Sequence, residues 1–165
     1  IGSVGRLSFQ KGYDLLLKQL SQWQVPEGEQ WALVILGSGE DQEQLTKLAQ
    51  SAPNNIKVVM PGFVKNAADA ISAFDLFVMP SRYEGFGLTL IEAMSHGVPI
   101  LANNVDSLPE LMQHYDNGLC CPVEEFPNKI SEFTHRPKTS GVFPFTAKKM
   151  CDDYLKLYEQ LLNEK

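Results

Sequence analysis

The chain has 165 residues, enough for one domain with a sizeable core. Fourteen basic against twenty acidic residues leave a net charge of −6, a poor fit to nonspecific binding of nucleic acid or of a membrane surface. Three cysteines, two of them adjacent at Cys120 and Cys121, give neither a disulfide framework nor metal-ligand spacing, and a reducing compartment is the default.

No apolar run reaches the roughly eighteen residues of a membrane span. The chain opens at Ile1, without a methionine, directly in strand-like sequence, and reads as a piece of a longer protein. Ile1, Ser3 and Val4 form a first short strand that ends at Gly5-Arg6. After a loop over Leu7–Gln10, Tyr13–Trp23 places Leu16, Leu17, Leu20 and Trp23 at helical spacing. Trp31–Leu36 is a buried-strand run, closed by Gly37-Ser38-Gly39. Asp41–Ala52 repeats the helical pattern, and Pro53-Asn54-Asn55 breaks it before a strand at Ile56–Met60. Ala67–Phe74 is expected as a helix capped by Asn66. A strand at Leu76–Met79 leads into a Gly-rich loop and a helix beginning near Leu88. Val98–Ala102 is the next strand, Ser107–Gln113 a short helix and Leu119–Cys121 a last short strand. Phe126–Phe133 is a weak helix and His135–Pro144 an irregular loop. Thr146–Leu162 is an amphipathic helix with Met150, Tyr154, Leu157, Tyr158, Leu161 and Leu162 on its apolar side.

Strands that alternate with helices and read as continuous apolar runs predict a parallel sheet covered on both faces, an α/β fold. Ligands of such sheets sit outside the carboxyl ends of the strands. Four candidate pieces fall there: Arg6 after the first strand, Gly37–Gly39 after the second, Gly62–Val64 after the third and Ser81–Leu88 after the fourth. No internal repeat, low-complexity tract or linker interrupts the chain.

The central stretch runs from Pro80 to Pro99. Gly85 and Gly87 let the backbone come close to a ligand, and the following helix aims free N–H groups at the same place, which suits a phosphate. Glu84 precedes the loop. Glu92 stands about one turn into the helix, with its side chain leaning back toward the loop. N–H donors for phosphate beside carboxylates for hydroxyls suit a sugar nucleotide. The plainer readings are a solvated polar helix face for Glu92, a helix cap for Glu84 and turn residues for the glycines. Arg6 and Lys11, on the loop after the first strand, suit a diphosphate as an Arg fork and a Lys point charge, or are two surface cations. Gly37-Ser38-Gly39-Glu40-Asp41-Gln42 lacks the third glycine of a dinucleotide fingerprint, and Lys57 and Val58 stand where an acid is wanted, so an NAD site is disfavoured. Tyr83 and Phe86 flank the loop as pocket walls or as packing residues.

Glu84 and Glu92, with seven residues between them in Ser-Arg-Tyr-Glu-Gly-Phe-Gly-Leu-Thr-Leu-Ile-Glu-Ala-Met, resemble the E-x7-E motif of retaining glycosyltransferases of family 4. Val4-Gly5-Arg6-Leu7 with Lys11-Gly12, Leu36-Gly37-Ser38-Gly39, Gly62-Phe63-Val64 and the terminal run from Phe145-Thr146 resemble that family in the same order. The resemblance covers nearly the whole chain. It implies a Rossmann-like αβα sandwich, with residues 1–165 forming the nucleotide-sugar-binding C-terminal half of a two-domain GT-B enzyme and the N-terminal acceptor half missing. It implies that Arg6 and Lys11 bind the donor diphosphate and stabilise the leaving group, and that Glu84 contacts the transferred sugar. By the same resemblance Glu92 accepts hydrogen bonds from the ribose. The backbone of Gly85, Phe86, Gly87, Leu88 and Thr89 meets sugar and phosphate, that of Gly62, Phe63 and Val64 reads the base, and Gly37 and Gly39 line the donor site.

The implied donor is a UDP-, GDP- or ADP-sugar, with no metal and no other cofactor, and the implied acceptor is a glycan, lipid or polysaccharide precursor. The implied partners are that donor and the missing half, without nucleic acid. The implied compartment is the cytoplasm, with any membrane contact left to the missing half at the cytoplasmic face. The fragment alone is expected to be inactive. A non-catalytic nucleotide-sugar-binding module is the main alternative. One departure stands out: the family commonly has a Gly-Gly pair before Pro109-Glu110, and here Asp106 and Ser107 replace it, as residues suited to capping a helix.

Overall fold

A computed structural model describes residues 1–139 and 145–163 of the chain. Six strands form one sheet: β1 (Gly2–Val4), β2 (Trp31–Leu36), β3 (Ile56–Gly62), β4 (Phe77–Met79), β5 (Ile100–Ala102) and β6 (Gly118–Cys120). Every pairing is parallel, in the order β3-β2-β1-β4-β5-β6. The intervening helices are α1 (Tyr13–Ser21), α2 (Gln42–Ala49), α3 (Ala67–Ile71), α4 (Leu88–Ser95), α5 (Leu108–Met112) and α6 (Phe126–Thr134), followed by α7 (Ala147–Asn163). A parallel, doubly wound sheet of this order is Rossmann-like, as the alternation of apolar runs and amphipathic segments predicts.

The side chains of the central strands sort onto two faces by their period of two. Val78 of β4 and Leu101 of β5 join Leu33 and Ile35 of β2 in a core closed by α1, α2 and α6 through Leu16, Leu17, Leu20, Leu45, Phe126 and Ile130. Phe77, Met79, Ile100 and Ala102 point the other way and meet Ile71, Leu90, Ala93, Leu108 and Leu111 of α3, α4 and α5. All three residues of β4 and of β5 are buried, so these short strands read as continuous apolar runs rather than alternating ones.

The strand order reverses between β1 and β4, and this positions the site. The two strands pair only at Gly2 and Phe77. Beyond that point the Ser3 hydroxyl, not a backbone group, bridges them by donating to the Val78 carbonyl at 2.7 Å. The loops after β1 and β4 therefore emerge side by side at the carboxyl edge of the sheet.

Some expectations are corrected. Asn66 adopts a left-handed conformation at φ 58° and makes no side-chain cap, and the helix it precedes stops at Ile71. Ser107 sits before α5 with helical dihedrals and caps nothing through its side chain. β3 runs on through Gly62 instead of stopping at Met60. Residues 140–144 of the expected loop at His135–Pro144 lie outside the described residues. The terminal helix forms as expected, but Met150, Tyr154, Leu157, Tyr158, Leu161 and Leu162 are exposed. Phe145, Met150, Tyr154 and Leu157 line a cavity of ≈770 Å³ together with Phe86 and Leu88 at the start of α4. Among the described residues no helix is long and apolar enough to cross a membrane.

Candidate functional site

The loops after β1 and β4 touch. The first makes a short 3-10 turn at Phe9–Lys11 and enters α1 through Gly12, whose φ is 65°. A Cβ at Gly12 would lie 2.1 Å from the Pro80 carbonyl oxygen, so only glycine permits this approach. Arg82 then fastens the two loops. Its guanidinium donates to both carboxylate oxygens of Asp14 at 2.7 Å and to the Phe9 carbonyl at 2.8 Å, and lies 4.0 Å over the Phe9 ring. Its backbone N–H donates to the Gln10 carbonyl at 2.8 Å, and the Gln10 amide donates to the Tyr83 carbonyl at 3.1 Å. The hydrogen bond from Arg82 holds the Asp14 carboxyl below its ordinary range.

This fastening brings Lys11 to Glu84. Glu84 is buried at 8% relative exposure, and Lys11 pairs with its Oε1. The Ser81 hydroxyl donates to the same oxygen at 2.8 Å. The Glu84 backbone N–H donates to Asp106 Oδ2 at 2.8 Å. Glu84 is therefore a paired, buried carboxylate and not a cap of α4. Below lies Tyr13, buried on the core face, its hydroxyl 3.2 Å from Ser3 Oγ and its phenol pushed up to about 12 by burial.

The helix that follows is left open at its start. Gly87 precedes α4, and no side chain caps it. The first ladder bonds run from Leu90 and Ile91 to the Gly87 carbonyl, so the N–H groups of Leu88 and Thr89 lie ahead of the ladder. A Cβ at Gly85 would meet nothing within 4 Å. Phe86 and Leu88 are exposed beside it. Glu92 is half-buried on the same helix, and burial pushes its carboxyl above the ordinary range, opposed by the charge of His96.

Arg6 lies in a separate cleft of ≈360 Å³ with Gly37, Phe63 and Val64. Lys11 links the two places, since its Cε would be 3.4 Å from a Cβ at Gly5. Gly37 and Gly39 have a structural duty the sequence does not reveal. A Cβ on either would come within 1.9 Å of the Gly5 carbonyl or 2.2 Å of the Leu7 carbonyl, so they let the loop after β2 lie against the loop after β1. Gly62 ends β3, and its carbonyl is taken by the Gly37 N–H at 3.0 Å, which leaves Phe63 and Val64 as the cleft wall.

Asp14 is missed by sequence reasoning, Ser81 and Arg82 fall inside the candidate piece Ser81–Leu88 without a role of their own, and Asp106 is noticed only as a change of turn chemistry. A charged Arg82 inside a loop that borders an apolar strand is the one visible hint. Thr89 Oγ1 and Ser107 Oγ are buried without a partner. Among the described residues no three His, Cys, Asp or Glu side chains are grouped to hold a metal ion.

The model of the family described as glycosyl transferases group 1 matches residues 1–150. The chain belongs to that family. It is 32% identical over 158 residues to a glycosyltransferase of Haemophilus influenzae, itself uncharacterized, covering 92% of the chain and 44% of that protein. It is 30% identical over 195 residues to the glycogen synthase of Nitrosospira multiformis, covering 99% of the chain and 37% of that enzyme. The crystal structure of Anabaena Alr3699/HepE in complex with UDP superposes with a TM-score of 0.65 at 27% identity, covering 79% of the chain and 37% of that protein. The chain spans less than half the length of each of these relatives. This group 1 domain thus has the fold of the C-terminal domain of GT-B glycosyltransferases.

Proposed function

We propose that this group 1 domain holds the donor of a retaining family 4 glycosyltransferase, which moves a hexose-type sugar from a nucleoside diphosphate to a glycan, lipid or polysaccharide-precursor acceptor. The observation that carries the reading is the Lys11–Glu84 pair held beside the uncapped start of α4, where the strand order reverses. A diphosphate placed there meets Lys11, Arg6 and the N–H groups of Leu88 and Thr89. These groups stabilise charge as it develops on the departing nucleoside diphosphate, without a metal. Glu92 accepts from the ribose and Glu84 from the sugar hydroxyls, while Phe63 and Val64 border the base.

The Anabaena protein is in complex with UDP, which supports a nucleotide as ligand of this domain. UDP, GDP and ADP donors all fit the reading. The acceptor and the far wall of the cleft belong to a second domain, so the domain alone binds donor and does not turn over. The enzyme works in the cytoplasm, at the membrane's inner face when its acceptor is a lipid.

Isothermal titration of the domain in EDTA tests the binding step. Heat with at least one of UDP, GDP and ADP, and none with NAD, is expected. Silence with all three nucleotides at millimolar concentration sinks the reading, as does sugar transfer by the domain alone.

A further inference from the structure

The turn between β5 and α5 reaches back to the loop after β4 at two points. The Asn103 side-chain amide donates to the Ser81 carbonyl at 2.9 Å. Asp106 Oδ2 accepts the backbone N–H of Glu84 at 2.8 Å. Asp106 does so from φ 46°, a region that side chains other than Asn and Asp seldom enter. The Asn103 N–H is itself anchored on the Met79 carbonyl at 2.8 Å, so the turn is tied to the end of β4.

Glu84 is consequently held twice. Its peptide is pinned by Asp106, and its carboxylate by Ser81 and Lys11. Both side-chain bonds fall on Oε1, and Oε2 takes neither. A bond from a backbone N–H to an ionised carboxylate is among the stronger ones available to a loop. A glycine at position 106 would leave the Glu84 N–H without this acceptor.

We propose that Asp106 is a positioning residue, which fixes the peptide of Glu84 so that Oε2 faces the transferred sugar of the bound donor. The inference rests on the reading of Glu84 as the sugar contact. Asp106 itself touches no reacting atom. Its effect passes through the orientation of Glu84, where a misplacement of about 1 Å is costly to rate.

The test uses the longer chain that carries both domains. Asp106→Gly removes the acceptor and relieves the backbone at the same time. Asp106→Asn keeps an acceptor oxygen and tolerates the same φ. The expected result for Asp106→Gly is a fall in kcat of about ten-fold or more, with donor KM and the thermal midpoint nearly unchanged. Asp106→Asn should retain most of kcat. Amide exchange at Glu84 should be slow in the wild type and in Asp106→Asn, and faster in Asp106→Gly. Should the glycine variant fail to fold, Asp106→Ser, too short to span the gap, takes its place.

Unchanged kcat in Asp106→Gly, equal losses in the Gly and Asn variants, or equal exchange at Glu84 in all three proteins overturns the inference. A wild-type longer chain that transfers no sugar overturns the proposed function, and this inference with it. A chain that transfers sugar and ignores Asp106→Gly overturns this inference alone.

Discussion

The loop that carries Glu84 and the helix that carries Glu92 are neighbours in sequence and opposites in construction. Glu84 is buried, paired with Lys11, and held through its own backbone by Asp106. Its loop is lashed to the start of α1 by Arg82 and Asp14. Glu92 is half-buried on an ordinary helix face, with its carboxyl pushed up by burial. One carboxylate is compensated before any ligand arrives. The other carries a desolvation cost that His96 offsets only in part and that a hydroxyl donor would relieve. Equal spacing on a motif therefore does not mean equal electrostatics.

The largest effect is expected at Glu84. Glu84→Gln in the longer chain should lower sugar transfer by roughly 100-fold, the scale of a lost transition-state contact. It should also disturb diphosphate binding, because the carboxylate that holds Lys11 is gone. Steady-state kinetics together with UDP titration decide this. Full transfer activity in Glu84→Gln would mean that Glu84 is not the sugar contact.

The lashing comes next. Arg82→Gln should destabilise the domain by about 2 kcal/mol, the range of hydrogen bonds to charged groups. Urea unfolding gives the number, and a change below about 0.5 kcal/mol would mean that the Asp14–Arg82 pair behaves as a surface ion pair. The pair also has a pH signature. Asp14 is depressed in the folded state, so its contribution is present above the ordinary carboxylate pKa of about 3.9 and is lost as pH falls through the lower folded value. Asp14→Asn should flatten that acid limb.

Glu92 should respond differently. Glu92→Gln should weaken nucleotide binding about ten-fold, one charge-assisted hydrogen bond's worth. It should leave the fold slightly more stable at neutral pH. A carboxyl raised by burial loses stability as pH rises from the ordinary value through the folded one, and Gln removes that loss. Nucleotide affinity in the wild type should begin to fall, on acidification, at a higher pH than an ordinary glutamate would give. A titration series of the two proteins against pH separates these limbs, and identical profiles would count against Glu92 as the ribose acceptor.

The smallest effects belong to the two buried hydroxyls without partners. Thr89→Val and Ser107→Ala should change stability by less than about 1 kcal/mol, in the stabilising direction, because each removes an unsatisfied polar atom. A loss above that, seen in thermal melts, would mean that a partner such as water satisfies them.

The sequence by itself determined the parallel α/β fold, the placement of the candidate pieces on one sheet edge and the site of the loop–helix at Gly87. These are written in local terms: apolar runs for buried strands, helical spacing, glycines at sharp entries. It also showed that the terminal helix has an apolar side, but not whether anything covers it. Only the tertiary structure decided the wiring. Arg82 reaches Asp14, Lys11 reaches Glu84, and Asp106 reaches the Glu84 peptide across separations of 68, 73 and 22 residues. Gly37 and Gly39, legible as a ligand-facing loop, proved to be the places where two backbones press together. Local pattern reports which residues prefer a strand, a helix or a turn. Which polar groups meet depends on strand order, because that order sets which loops emerge side by side.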